Sequence, residues 1–219
     1  MYKGKTIVAV IPARGGSKGL PHKNLRRVGD ETLVKLATIC AHAVPEIDLV
    51  ICSTDDWDIA CQAAPSEIVF RPESLSGDNV GDAEVLRHAD NVHDVIVMLQ
   101  PTCPTRKPSE VIECIRTLID EEYDSIWTVT LTDLHYHPDK QLYIKDGMLV
   151  GKSEIRRQDL EQTYTRNGAC YAMTRECLEK YGTMGPNCGA IITEPHVSID
   201  TMEDLHAAQA GIVSQSDIY

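Results

Sequence analysis

Short runs rich in Val and Ile alternate with helical patterns along almost the whole chain, and this alternation narrows the fold more than any other feature. TIVAVI (6–11), DLVICST (48–54), EIVF (67–70), DVIVMLQ (94–100), SIWTVT (125–130), GACYAM (168–173) and GAIIT (189–193) read as strands. Helical patterns lie at 31–43, 56–64, 82–92, 109–122 behind Pro108, near 174–181, and at 204–213. Strands nearly continuous in apolar residues are buried on both faces, and the intervening helices cover them. This predicts a doubly wound, mostly parallel α/β sheet. Residues 131–167 break the rhythm. Within them QLYIKDGMLVG sets Lys-Asp-Gly between two apolar runs, a hairpin signal that predicts an excursion from the main sheet.

A chain of 219 residues, 42% hydrophobic, suffices for one closed core, so a single domain over 1–219 is expected, with 131–167 as a protruding segment. No run of about 18 apolar residues marks a membrane span. The opening MYKGKTIVAV has no small-residue cleavage site after its apolar run, so it does not read as a signal peptide, and a cytoplasmic location is the simplest expectation. Eight cysteines are scattered without a C-x-x-C pair and read as reduced core residues. Cys103, in QPTCPTR, is the one to watch for modification.

The net charge of −12 is unevenly spread. Residues 1–29 hold seven Lys and Arg and no acid, whereas the rest of the chain carries fourteen bases against 33 acids. A protein that grips long nucleic acid needs a broader basic face to neutralise many phosphates, so a nucleic-acid partner is not expected. A small polyphosphate suits this local patch better.

The patch falls in PARGGSKGLPHKN, directly after the first strand, where open α/β sheets commonly bind ligands. Gly15, Gly16 and Gly19 let the backbone approach an anion and present N–H groups to it, while Arg14, Lys18 and Lys23 supply charge. Two familiar phosphate loops are excluded. The P-loop spacing G-x-x-x-x-G-K-[ST] fails because Lys18 precedes Gly19, and the dinucleotide spacing G-x-G-x-x-G fails because the loop reads G-G-x-x-G and delays the helix to about residue 31.

IPARGGSKGLPHKN, STDD (53–56), RPESLSGD (71–78), LQPTCPTR (99–106), RNGACY (166–171) and SIDTMEDL (198–205) together resemble the cytidylyltransferases that make CMP-sialic acid, in order and through nearly the whole chain. The resemblance implies a three-layer, mostly parallel Rossmann-like nucleotidyltransferase sheet with a small protruding dimerisation element. It implies transfer of CMP from CTP to the anomeric hydroxyl of a 2-keto-3-deoxy sugar acid, with release of pyrophosphate. In that reaction charge develops on the transferring and leaving phosphates, so positioning and cations carry the catalysis.

By the same similarity Arg14, Gly15, Gly16, Ser17, Lys18, Lys23 and Asn24 would hold the triphosphate, with Arg14 and Lys23 stabilising the transition state. Arg71 matches a position near the nucleotide, and Asp78 would either anchor its loop or reach the ribose. Asp56 would take a binding role with Asp55 or cap the helix from Trp57. Gln100, Arg157, Asn167 and Tyr171 match positions around the sugar, and Lys140 in HPDK matches one that reaches across a homodimer. Arg157 or Lys140 would pair the sugar carboxylate.

The chain departs from the family pattern at the metal. Relatives commonly present D-x-D before the Thr that opens the last helix, carboxylates that hold Mg²⁺ against the phosphates. Here the stretch is VSIDT, so Ser198 replaces the first acid and Asp200 is left as the expected ligand for Mg²⁺, with Mn²⁺ able to substitute, or as a helix cap. His135-Tyr136-His137 invites a zinc reading, but no third ligand is evident and hydrogen bonding or packing is preferred. Among nonulosonic acids the substrate stays open. The octulosonate branch fits less well, since its first loop carries another pattern; a further sugar nucleotidyltransferase or a non-catalytic nucleotide-binding relative are the alternatives.

Overall fold

The structure, a computed structural model, describes residues 1–152, 154 and 156–213. Its strands are β1 (Ile7–Pro12), β2 (Arg27–Val28), β3 (Glu31–Thr32), β4 (Leu49–Thr54), β5 (Glu67–Phe70), β6 (Val95–Met98), β7 (Ser125–Leu131), β8 (Tyr143–Lys145), β9 (Met148–Val150), β10 (Tyr164–Thr174) and β11 (Cys188–Ile192). The helices are α1 (Leu33–His42), α2 (Trp57–Gln62), α3 (Asp82–Ala89), α4 (Pro108–Asp120), α5 (Arg175–Tyr181) and α6 (Met202–Val213).

Seven strands form one sheet in the order β11-β7-β10-β6-β1-β4-β5. All run parallel except β10, which is antiparallel to both β6 and β7. Ile7, Ala9 and Ile11 of β1 point into a core shared with α1, α2 and α4, while Val8 and Val10 point into one shared with α3 and α5. The period-2 alternation of a strand buried on both faces therefore builds the two outer helical layers. Local signals set the helix starts. Asp56 Oδ1 accepts the N–H groups of Asp58 and Ile59 to open α2, Thr32 caps α1, and Pro108 occupies the first turn of α4.

The observed bounds shift several expected ones. The helix expected from residue 31 begins at Leu33, after Glu31 and Thr32 pair with Val28 and Arg27. The strand expected at 168–173 runs from 164 to 174, because Tyr164, Thr165 and Arg166 pair with the Thr-rich end of β7. The excursion therefore spans 132–163, and its hairpin is β8 and β9 with Asp146 and Gly147 at positive φ in the turn. A third apolar cluster, formed by Leu20, Val28, Leu33, Ile199, Leu205 and Ala208, binds the loop after β1 to the segment before α6.

Candidate active site

The strand order reverses between β1 and β6, since the chain runs from β1 outward through β4 and β5 and then returns to β6 on the other side. Loops diverge at such a point and leave a crevice beyond the carboxyl ends of the strands. A cavity of about 320 Å³ opens there, lined by Pro12 and Arg14 after β1, Arg71 after β5, Gln100 to Thr102 after β6, and Ser198 and Asp200 before α6. Ser17, Lys23, Asn24 and Asp78 also line it. A second cavity of about 260 Å³ adjoins the first, sharing Asp82, Gln100 and Ser198 and extending to Trp127, Arg166, Asn167, Gly168 and Tyr171.

The glycine-rich loop is shaped by its neighbours. The Gly15 N–H donates to Asp55 Oδ1 at 2.8 Å, and a Cβ on Gly15 would stand 2.6 Å from Asp56 Oδ2, so only glycine lets the loop lie against the end of β4. Asn24, buried, donates from Nδ2 to the Arg14 carbonyl at 2.9 Å and fixes the far side of the loop. Thus Asp55 and Asp56 organise the loop and the α2 cap, and Asn24 braces the backbone that carries Arg14. Gly15, Gly16 and Lys18 do not line the cavity, and the Lys18 side chain stands outward, 84% exposed.

Charge in the first cavity is arranged in pairs. Asp78 Oδ1 lies 2.6 Å from Arg14 NH1, and its Oδ2 bonds Lys18. Hydrogen bonds from Lys18 and Arg14 hold the Asp78 carboxyl below the usual carboxylate range. Lys23 Nζ lies 2.9 Å from Asp200 Oδ1, and the Ser198 hydroxyl is 3.4 Å from Asp200 Oδ2. Arg71 is the exception: it is buried, yet its Nε and one NH₂ nitrogen have no hydrogen-bond partner among the described residues. Burial pulls its pKa down from the ordinary value, opposed most by Asp55. A buried cation with unmet donors, facing a cavity, is a place for an anion or a polar acceptor.

The second cavity is built by an irregularity in β10. Register shifts between Arg166 and Tyr171, and Gly168 adopts φ +74°, a conformation that disfavours any side chain. This brings Gly168 against Gln100, whose Oε1 would stand 3.3 Å from a Cβ there. The Asn167 amide donates to Thr130 Oγ1 (2.9 Å) and Thr193 Oγ1 (2.7 Å) while its Oδ1 accepts the Ala169 N–H, so the residue binds β7, β10 and the end of β11 together. Tyr171 packs edge-on against Trp127 at 4.9 Å. Burial pushes the Asp82 carboxyl up, against Arg166 and Arg71.

Of the residues singled out in the sequence, Arg14, Ser17, Lys23, Asn24, Arg71, Asp78, Gln100 and Asp200 meet at the first cavity, and Gln100, Asn167 and Tyr171 at the second. Lys140 and Arg157 lie in the excursion, outside both cavities of their own chain. Cys103, the cysteine to watch for modification, is 2% exposed. Of the two histidines in the His-Tyr-His stretch, His137 bonds the Glu161 carbonyl and His135 bonds Asp133, as hydrogen-bonding residues do. Asp82, Arg106 and Arg166 were not legible as site residues. Arg106 is buried and donates to the carbonyls of Gln100, Gly168 and Ala169, so it joins the loop after β6 to the irregular part of β10.

Comparison with known proteins agrees with this architecture. A family model described as cytidylyltransferase matches residues 8–207. The chain is 26% identical over 215 residues to post-translational flagellin modification protein B of Campylobacter coli, covering 91% of each chain. It is 32% identical over 132 residues to an N-acylneuraminate cytidylyltransferase of Escherichia coli, a match covering 57% of this chain and 31% of that protein. It spans about half the length of further N-acylneuraminate cytidylyltransferases that it matches. A solved structure of CMP:2-keto-3-deoxy-manno-octonic acid synthetase complexed with CTP shares the fold, with a TM-score of 0.76 at 18% identity over 96% of this chain and 99% of that one.

Proposed function

Because this chain belongs to the cytidylyltransferase family, we propose that it transfers CMP from CTP to the anomeric hydroxyl of a 2-keto-3-deoxy sugar acid of the nonulosonic type, releasing pyrophosphate. The observation that carries this reading is the switch-point cavity in which Arg14, Lys23 and the underpartnered, buried Arg71 face Asp200. The relatives named for N-acylneuraminate support a nonulosonic acceptor.

In this reading the hydroxyl oxygen attacks the α-phosphorus and gives up its proton to solvent, while the bond from the α-phosphorus to the oxygen bridging it to the β-phosphorus breaks and that oxygen leaves with pyrophosphate. Arg14 and Lys23 meet the charge that grows on the α-phosphate and on the leaving pyrophosphate. A triphosphate reaching Arg14 displaces the Asp78 carboxylate that now pairs with it, and one reaching Lys23 shares it with Asp200. Gln100, at the junction of the two cavities, faces the acceptor, which occupies the space beside Tyr171 and Trp127.

Asp200 is the residue that would hold Mg²⁺, or Mn²⁺ in its place. Its carboxylate is 67% exposed at the cavity and offers oxygen ligands beside the Ser198 hydroxyl. No group of three or more His, Cys, Asp or Glu that could hold a metal exists among the described residues. One carboxylate completed by substrate phosphates and water nevertheless fits magnesium. Bound there, the ion would neutralise phosphate charge.

We also propose a homodimer formed through the excursion. Tyr143, Ile144, Met148 and Leu149 of the hairpin are each more than 60% exposed, a cluster of apolar surface that a second copy would cover. Lys140 and Arg157 belong to this excursion, which accords with a role in the partner's sugar cavity. Light scattering of wild type and Ile144→Asp tests it: a dimer converted to monomer supports the proposal, and a wild-type monomer overturns it.

The experiment for the activity is pyrophosphate release with CTP and Mg²⁺ across sialic, deaminated sialic, legionaminic, pseudaminic and octulosonic acids. Release with a nonulosonic acid supports the reading. Release with octulosonic acid alone, or with UTP or GTP and a sugar phosphate alone, overturns it.

A further inference from the structure

His196 lies on the segment that leads from β11 to Asp200, and its side chain is 3% exposed. Its Nε2 is 3.0 Å from Glu110 Oε1, and its Nδ1 is 3.0 Å from Thr105 Oγ1. The other oxygen of Glu110 accepts the Lys107 N–H at 2.9 Å, which fixes the carboxylate in the first turn of α4. Three residues beyond His196, the Ile199 N–H donates to the Thr102 carbonyl at 2.9 Å, and the Ile199 side chain is fully buried. The segment is thus joined at two points to the loop after β6, the loop that Arg106 in turn ties to β10.

Asp200 needs such a support. Its carboxylate is largely exposed and touches Lys23 and the Ser198 hydroxyl, while its own N–H is held by Asp204 at 3.0 Å. A side chain with so few constraints is placed by the backbone beneath it. A buried hydrogen-bonded pair is also an all-or-nothing device: removing one member leaves the other's polar group unpaired, so the remaining partner shifts toward water.

We propose that His196 and Glu110 form a clasp that positions Asp200 against the loop after β1 and thereby sets the site's affinity for a divalent cation. The inference rests on Asp200 being the metal-holding residue of the reading above. His196 and Glu110 touch neither cavity's contents. They are positioning residues that act through the 196–200 segment.

The test uses the full chain and three variants, His196→Ala, His196→Gln and Glu110→Gln. Hydrogen exchange reads the clasp without substrate: the amides of Ile199 and Asp200 should exchange about tenfold faster in His196→Ala and Glu110→Gln, with part of the protection restored in His196→Gln, whose amide can still donate to Glu110. Titration of Mn²⁺ into protein saturated with CTP, followed by the electron resonance of the free ion, reads the consequence. Its dissociation constant should rise about tenfold in His196→Ala and Glu110→Gln. Unchanged exchange at Ile199 and Asp200 overturns the clasp, and faster exchange with unchanged Mn²⁺ affinity overturns its link to the cation. If wild type fails to bind CTP, the proposed activity falls, and exchange alone decides the clasp.

Discussion

Lys23 and Asp200 are 177 positions apart in sequence, and their side chains meet at 2.9 Å. The pair joins the cationic loop after β1 to the acidic segment before α6, the two parts of the site with opposite charge. In Asp200→Asn the amide keeps the shape and loses the charge that would hold Mg²⁺. Turnover should fall at least about a hundredfold, and the Mg²⁺ concentration for half-maximal rate should rise. Because the side chain is exposed, thermal unfolding should barely change. An unaltered magnesium curve would assign the cation to other residues.

Arg71→Met separates binding from stability. The guanidinium is buried with two nitrogens unpartnered among the described residues, so an apolar side chain of similar length removes a desolvation cost. The melting temperature should hold or rise, while CTP binding measured by calorimetry weakens by about 1.5–3 kcal/mol. A large loss of stability with normal CTP affinity would make Arg71 a scaffold residue.

Asn167→Ala should do the reverse. The amide spends its hydrogens on Thr130 and Thr193 and its oxygen on the Ala169 N–H. Denaturant unfolding should show a loss of about 1–2 kcal/mol. Kinetically, KM for the sugar acid should rise more than KM for CTP, because Gly168 and Tyr171 shift with the strand. A variant of native stability that lost only turnover would instead show direct contact with the acceptor.

His196 gives the fold a pH dependence on the alkaline side. Burial alone would lower its pKa, but the interactions with Cys103 and Glu110 outweigh burial and push it up to about 9 from an ordinary 6.5. The titratable groups facing the ring are Glu110 from α4 and Cys103 from the loop after β6, with Lys107 facing Glu110 in turn. A raised folded pKa means that the imidazolium stabilises fully below 6.5 and that this contribution disappears as pH rises through about 9. On the acid side, burial raises Glu110 and its hydrogen bonds with His196 and the Lys107 N–H bring it below its ordinary value, so its contribution is lost only as pH falls through that lowered value. The difference in urea midpoint between wild type and His196→Gln should therefore shrink as pH climbs from 6.5 to about 9. A constant difference across that range would show that the ring is neutral throughout.

Much of the architecture was legible because it is written locally. Branched apolar runs give the strands of the sheet, Asp146-Gly147 gives the hairpin turn, and Pro108 and Asp56 give helix starts. Direction is not local: nothing in GACYAM tells that β10 runs against β6 and β7, although the glycine after Asn167 marks the place where its register breaks. In the site, Arg14 and Lys23 stood out as bases in an acid-free stretch. Arg71 and Asp200 stood out only through resemblance, since their meaning comes from what lies across the cavity. Arg106 and His196 were hidden for the same reason. A single arginine or histidine in a loop has no pattern, and its role arises from carbonyls and carboxylates on other elements.

The apolar cluster that joins Leu20 and Leu33 to Ile199, Leu205 and Ala208 also makes completion of the site depend on the docking of α6. Translation delivers the cationic loop before its carboxylate partner, with nearly the whole sheet made in between. Until α6 has left the ribosome and docked, Lys23 has no Asp200 to face and the crevice lacks one wall. Arg14 and Lys18 already have Asp78 by then, so it is the Lys23 side of the site whose completion waits on the docking of α6.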